Sequence, residues 1–470
     1  MKKIRILCII LACCVMLCNI YPVYAAPQTQ EMSGTGATGC NTLDAEVPYL
    51  GTARLVENVS AAFLYETKSD TLMYAWNPDM QIYPSSMVKI ITAYYAVLHG
   101  NPEDVVTVTE TALANVPYDA VSADLQPGEE ILLEDLIYCM MVGSANDAAS
   151  VIAEHIGGSE EEFVEQLNIF MEDMGCTATT LKNPHGLHNP EQVSTVRDLA
   201  RVVAEASKNE EFTKYFSAIE RIVPATNMSQ TRNLSSSNLI MDSSNNNYDE
   251  RVTGGRTGIA DDGSRCLATA AKSDELELIC IVTGAQSTFA ENGNTEVFGG
   301  FKETTELYNM VFGNYKSVQV LYEGQTICQR NVINGECDLV LGSETAVSAI
   351  LPGGVTQSDL SLRYNDYYES LEAPLESGQQ VSGLEIWYGN MCIAKAELVA
   401  MNPVRSYVET TEQLVIEERK SNALAIVLIS VLAAVSVVVL GFVFIRMYKH
   451  WVKRKKAEAN KRRKYERRNR

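Results

Sequence analysis

The sequence predicts an α/β (α+β) body, one sheet covered by helices, followed by a small all-β sandwich and a transmembrane helix. Three observations predict it. Residues 46–305 have strand-like segments at both ends and helix-like segments between them, so one sheet is assembled from distant pieces. Residues 306–410 hold short alternating apolar stretches separated by Gly and Pro, the pattern of a small sandwich. Ala423 to Ile445 is a run of 23 residues without a charge. As a helix it spans about 34 Å, enough for a bilayer core.

In chain order, residues 1–25 read as a signal peptide. Lys2, Lys3 and Arg5 form a basic start, an apolar run follows to about Ile20, and Val23-Tyr24-Ala25 supplies a cleavage site. Residues 26–45 are polar and Gly/Thr/Ser-rich, so they read as a linker. The body opens with a hairpin, residues 61–65 and 71–76 around Lys68-Ser69-Asp70. Helices are expected over residues 86–98, 133–142, 145–156 and 161–173. Residues 235–247 are Asn/Ser-rich and read as a loop. Residues 266–271 and 276–282 read as paired strands around Ser273-Asp274. In the second domain, strands are expected at 317–322, 337–341, 346–351 and 384–388. Residues 423–445 are the transmembrane helix and 446–470 a basic tail. No internal repeat is present.

Charge separates the ends from the body. The chain carries 38 Lys/Arg and 59 Asp/Glu, a net charge of −21. Residues 446–470 hold 13 Lys/Arg against 2 Asp/Glu. The acidic body excludes nucleic acid as its ligand, because phosphate binding needs a positive surface. Positive charge just after the span marks the cytoplasmic side. A cleaved signal plus this span predicts a single-pass cell-membrane protein with an extracellular body and a cytoplasmic tail, the tail resting on anionic lipid. Eight cysteines remain after the signal, and none forms a C-x-x-C pair that would suggest zinc. Cys139, Cys266 and Cys280 read as buried apolar thiols. Cys328 and Cys337 flank Asn334-Gly335 and could pair across a hairpin.

Three short motifs carry chemistry. In Pro84-Ser85-Ser86-Met87-Val88-Lys89, Ser86 and Lys89 share a helix face. A lysine amine activates a serine only when burial or a nearby cation depresses its pKa. Alone, the pattern reads equally as a solvated helix face. In Gly143-Ser144-Ala145-Asn146, Ser144 can relay a proton and Asn146 can hold an amide, or one of them can simply cap the next helix. In Gly255-Arg256-Thr257-Gly258, a cation and a hydroxyl suit a carboxylate, and the alternative is a tight turn. A Ser-His-Asp arrangement is disfavoured, because no G-x-S-x-G elbow frames a serine.

In this order the motifs follow S-x-x-K, S-x-N and K-T-G. Here the chain resembles the D-alanyl-D-alanine carboxypeptidases, the low-molecular-mass penicillin-binding proteins. Pro127-Gly128-Glu129 with Leu133-Glu134-Asp135-Leu136 leads into the second motif as in that family. Asn183-Pro184-His185-Gly186-Leu187 and Ser194-Thr195-Val196-Arg197-Asp198 are similar to its segment between the second and third motifs. The resemblance covers roughly residues 48–410. It implies a penicillin-binding-protein/β-lactamase-like fold over 46–305 and the family's β-rich domain over 306–410. It also implies a serine-type carboxypeptidase that removes the terminal D-Ala of peptidoglycan stem peptides through an acyl-enzyme on Ser86, with no metal or cofactor and with β-lactams as inhibitors. Lys89 would be the base and Ser144 the proton relay. Asn146 would orient the substrate amide, and Arg256 and Thr257 with Gly258 would bind the carboxylate. The N–H groups of Ser86 and Ile259 would bind the oxyanion. Two departures stand out: Arg256 replaces the family's lysine, and the anchor is a true span rather than an amphipathic helix. A β-lactamase of this fold, or a non-catalytic cell-wall binding protein, are the alternatives. The first lacks an E-x-x-L-N segment between Asn146 and Arg256, and the second finds support only in Arg256.

Overall fold

The structure, a computed structural model, describes residues 42–273, 275–289, 296–297 and 299–468. The signal peptide, most of the 26–45 linker and Asp274 of the expected turn lie outside the described residues.

The first domain is built on a five-stranded antiparallel sheet. Its order in space is Thr71–Trp76, Ala61–Glu66, Glu277–Ala285, Arg265–Lys272 and Val252–Ile259. The first two strands are the expected hairpin. The other three arrive almost two hundred residues later, and Phe63 pairs with Ile281. Alternation along each strand gives the sheet two apolar faces. Ala61, Phe63, Tyr65 and Ile281 face a helical lobe. Ala62, Leu64, Cys280 and Val282 face the other way, against helix Phe301–Phe312 and the second domain.

The helical lobe contains the four expected helices, observed as Val88–His99, Leu133–Met141, Asn146–Gly157 and Glu160–Asp173. Val88–His99 runs through its centre, and its residues Val88 to Ala96 are all buried. Such a helix shows no polar stripe, because lobe and sheet enclose it on every side. Two further helices, Val196–Ala206 and Glu210–Phe216, and the short Glu110–Ala114 complete the lobe. Thr195 starts the first by accepting the Asp198 N–H, and Asn209 starts the second by accepting those of Glu211 and Phe212.

The Asn/Ser-rich stretch is more ordered than its composition suggests. Asp242 accepts the Ser244 N–H and Asn245 accepts the Asn247 N–H, two local side-chain turns. Ile240, within a short 3₁₀ turn, is fully buried. A short apolar triplet in a polar run, Leu239-Ile240-Met241, thereby pins the segment beside strand Val252–Ile259.

The second domain has a five-stranded sheet and a two-stranded one. Cys328 and Cys337, which could have paired across a hairpin, do not, and both thiols are free. Register explains this. Strand Thr326–Arg330 pairs with Leu339–Ser343, which sets Cys328 opposite Leu341 and leaves Cys337 in the connection. Helix Phe301–Phe312 runs through the expected boundary at 305/306. The chain ends in one helix, Tyr407–Arg468. Its portion Arg419–Arg462 is long and apolar enough to cross a membrane.

A buried ion pair ties the lobe together. Glu129, fully buried, receives Arg232 at 2.8 and 3.0 Å, the Thr226 hydroxyl at 2.7 Å and the Gln126 N–H at 3.1 Å. Burial pushes its carboxyl up, but the Arg232 hydrogen bonds and the others outweigh that and hold it below the usual glutamate range. Replacing Arg232 by Met strands the carboxylate and should destabilise the domain by about 3–5 kcal/mol. Denaturant unfolding of wild type and variant measures this. Because the folded pKa is depressed, this contribution is present above the unfolded pKa and is lost as pH falls through the folded one. The wild-type and variant stabilities should therefore converge in acid.

Candidate active site

The first motif sits where the chain enters the central helix. Residues Ser85–Met87 form a 3₁₀ turn that continues into Val88–His99. This places Ser86 on the turn and Lys89 in the first α-turn, on the same side. Ser86 caps neither segment: both starts lack a side-chain capping bond. Lys89 is not on a solvated face, being only 1% exposed. Its Nζ lies 2.8 Å from Asn146 Oδ1, 2.5 Å from the His185 carbonyl oxygen and 3.4 Å from Ser86 Oγ. Burial drives the Lys89 pKa well below the ordinary lysine value. The nearby Arg256 charge lowers it further, and Asp147 opposes.

That environment is suited to a neutral amine. A neutral amine has two protons and one lone pair. Asn146 Oδ1 and the His185 carbonyl can only accept, so they take the two protons. At the third contact, 3.4 Å to Ser86 Oγ, a charged amine donates its third proton, whereas a neutral one turns its lone pair to the Ser86 hydroxyl.

The turn carrying Ser86 is strained and closely packed. Ser85 has φ +44°, a region unfavourable for a residue with a side chain. Two glycines make room for it. A Cβ on Gly186 would lie 1.9 Å from the Ser85 carbonyl oxygen, and Gly186 itself has φ +83°. A Cβ on Gly258 would lie 2.5 Å from Ser85 Oγ and 3.3 Å from the Ser86 nitrogen. The glycine of the third motif thus lies against the backbone of the first.

Ser144, at φ +62°, lies in the turn before helix Asn146–Gly157. That helix has no side-chain cap, so Ser144 is free for another partner. It accepts a hydrogen bond from Arg256 Nη2 at 2.7 Å. Asn146 is buried, and its Nδ2 donates to the Val121 carbonyl at 2.8 Å. The neighbouring Asp147 accepts the Ala123 and Leu125 N–H groups and the Ser122 hydroxyl, fastening the 121–125 loop beside the site.

The third motif is a strand and not a tight turn, since Val252–Ile259 forms the sheet edge. Arg256 is 4% exposed, and its Nη1 donates to the Met141 carbonyl. Burial lowers its pKa to about 10, which leaves it charged at neutral pH. Arg256 does not line the cleft; it reaches Ser144 from within the protein. Ser86, Ser144, Asn146, Thr257, Gly258 and Ile259 all do line it, around a cavity of about 520 Å³.

His185 supports the site through its backbone. Its imidazole is buried and accepts the Leu187 N–H at 3.2 Å, and burial above all depresses its pKa to about 3. Ser237 escaped the motif reading. Its hydroxyl lies 2.6 Å from that of Thr257. An Asn/Ser-rich run gave no spacing signal for it.

Comparison with known proteins places this geometry. Residues 53–287 match the family model described as D-alanyl-D-alanine carboxypeptidase. Residues 315–406 match that of the penicillin-binding protein 5 C-terminal domain. The chain is 29% identical over 350 residues to D-alanyl-D-alanine carboxypeptidase DacA of Haemophilus influenzae, covering 73% of this chain and 84% of the relative. It is 23% identical over 358 residues to D-alanyl-D-alanine carboxypeptidase DacF of Bacillus subtilis, covering 75% and 88%. Among solved structures, penicillin binding protein 5 from Haemophilus influenzae superposes with TM-score 0.63 at 27% identity, over 76% of this chain and 100% of the other.

The packing of Gly186 against Ser85 sets a test. Gly186→Ala displaces the turn that carries Ser86, and a shift of about 1 Å at a reacting group costs about a hundredfold in rate. The acylation rate of the variant by a fluorescent penicillin should fall by about that factor.

Proposed function

This chain belongs to the D-alanyl-D-alanine carboxypeptidase family, and on that premise we propose how its own residues perform the reaction. The enzyme is a serine hydrolase that removes the terminal D-Ala of peptidoglycan stem peptides through an acyl-enzyme and binds penicillin. In our assignment Lys89 takes the proton of Ser86. Ser86 Oγ attacks the carbonyl carbon between the two terminal D-alanines, and the N–H groups of Ser86 and Ile259 receive the oxyanion. Ser144 passes its hydroxyl proton to the leaving amine as the C–N bond breaks and takes back the one Lys89 removed from Ser86, which returns Lys89 to its neutral form for the attack of water. D-Alanine departs, and water cleaves the ester to regenerate Ser86. The observation that carries this assignment is the buried Lys89 amine, with two acceptors on its protons and Ser86 beside it.

Asn146 uses one lone pair on Lys89 and one N–H on Val121. Each of its polar atoms keeps further capacity, enough to orient the substrate amide. Arg256, with Thr257 and Gly258, forms the carboxylate side of the site. Its charge acts through Ser144, held 2.7 Å away, and Thr257 faces the cleft directly. β-Lactams acylate Ser86 by the same attack. We assign residues 46–305 to the catalytic domain and 306–410 to the β-rich domain. We place the body outside the cell membrane and the tail inside, from the signal-like start, the span and the basic residues that follow it.

The test uses the full-length chain in detergent with a fluorescent penicillin and a peptide ending in D-Ala-D-Ala. Wild type should retain label on Ser86 and release D-alanine; Ser86→Ala should do neither. Label or release by Ser86→Ala would remove Ser86 from its role. The active form of Lys89 is deprotonated, so kcat/KM should rise with pH through its lowered pKa and be lost below it. Lys89→Arg, which cannot deprotonate, should be inactive at every pH. Arg256→Lys keeps a cation within reach of Ser144 and should stay active. An inactive variant would mean the site has been rebuilt around arginine.

A further inference from the structure

The cleft presents two hydroxyls side by side where the third motif reaches it. Ser237 Oγ lies 2.6 Å from Thr257 Oγ1, and both residues line the cavity that holds Ser86. Arg256, whose charge would most obviously attract an anion, spends its guanidinium on the Met141 carbonyl and on Ser144 and does not reach the cavity. A carboxylate entering beside Thr257 therefore meets hydroxyls first, with the cation behind them.

Ser237 is exposed, yet its backbone is fixed on both sides. Before it, Ser235 pairs with Glu220, and the Ser236 N–H donates to the Ile219 carbonyl at 2.8 Å. After it, Asn238 is buried against Gly255, whose added Cβ would lie 2.5 Å from Asn238 Nδ2, and Ile240 is fully buried. A hydroxyl on a segment pinned this way is positioned before substrate arrives, so little ordering entropy is lost on binding.

Each hydroxyl has one proton and two lone pairs. In the free pair one hydroxyl donates to the other. A carboxylate offers strong acceptors on two oxygens whose separation is close to that of this pair, so both hydroxyls can turn and donate to it. Bonds to an ionised acceptor are roughly twice as strong as neutral ones.

We infer that Ser237 adds a second hydroxyl donor to the carboxylate side already assigned to Thr257. Ser237 is then a substrate-binding residue that strengthens the enzyme's preference for peptides ending in a free acid. This rests on the carboxypeptidase reading and deepens it. A C-terminal amide offers one neutral acceptor oxygen and no charge, so it gains little from the second hydroxyl.

The experiment compares full-length wild type, Ser237→Ala and Ser237→Thr in detergent. The probes are an N-acylated peptide ending in D-Ala-D-Ala and the same peptide as its C-terminal amide, at enzyme excess so that slow cleavage is measurable. The expected result is that Ser237→Ala lowers the acid-to-amide ratio of kcat/KM by about tenfold. Ser237→Thr, which keeps the hydroxyl, should recover most of that ratio. An unchanged ratio in Ser237→Ala, or equal loss on both peptides, would overturn the proposal, because a residue that only supports the strand affects both alike. If the alanine variant loses the ratio and the threonine variant also lacks it, a lost hydroxyl is not the cause and the proposal fails. If wild type cleaves neither peptide, the carboxypeptidase reading fails first and this inference falls with it.

Discussion

A lysine amine held in the protein interior is the constraint around which this molecule is organised. Lys89 is almost completely buried, and three separate stretches of chain meet at its nitrogen: the turn bearing Ser86, the start of the helix bearing Asn146, and the His185 backbone. An unpaired ammonium in that position would be costly. The protein instead surrounds the amine with acceptors for two protons and places a buried arginine close enough to disfavour a third. On the assignment proposed above, the reactivity of Ser86 follows from that arrangement, since a lysine at its ordinary pKa would be protonated and no base at all.

The backbone around Ser86 is held as closely as the side chains. Ser85 occupies a left-handed conformation that a free chain would leave. It is retained because Gly186 and Gly258 close around it from two segments far apart in sequence. The same contact brings the sheet edge against the helix start, so that the N–H groups assigned to the oxyanion share one cleft. The local strain is supported by the burial of the helix that follows, whose first nine residues have no exposed side.

The sheet links the catalytic site to the rest of the chain. Its helical face packs against the lobe that holds Lys89, and its opposite face packs against helix Phe301–Phe312 and the β-rich domain. Thr269 and Tyr308 join their hydroxyls across that second face at 2.7 Å. The edge strand Val252–Ile259 is not left open along its cleft side. The segment containing Ser237, Asn238 and Ile240 covers it, and thereby supplies part of the cleft wall from a stretch whose composition reads as a loop.

The sequence by itself determined the order of the motifs, which carries the family resemblance that implies the reaction class, and most elements of regular structure. These are local or composition-level properties: Ser86 and Lys89 three residues apart, alternation in Ala61–Glu66, and the uncharged run from Ala423 to Ile445. Tertiary structure alone decided which groups each ambiguous residue meets. Ser144 reads as a proton relay or a helix cap until Arg256, 112 residues away, is seen to hold it. Gly255-Arg256-Thr257-Gly258 reads as a strand edge or a tight turn until its pairing with Arg265–Lys272 makes it the edge strand. Cys328 and Cys337 look pairable until the strand register separates them. Ser237 carries no signal until it is set beside Thr257. The physical reason is the same in each case. A side chain's chemistry depends on the groups that desolvate it and bond to it, and here those groups come from parts of the chain that only folding brings together.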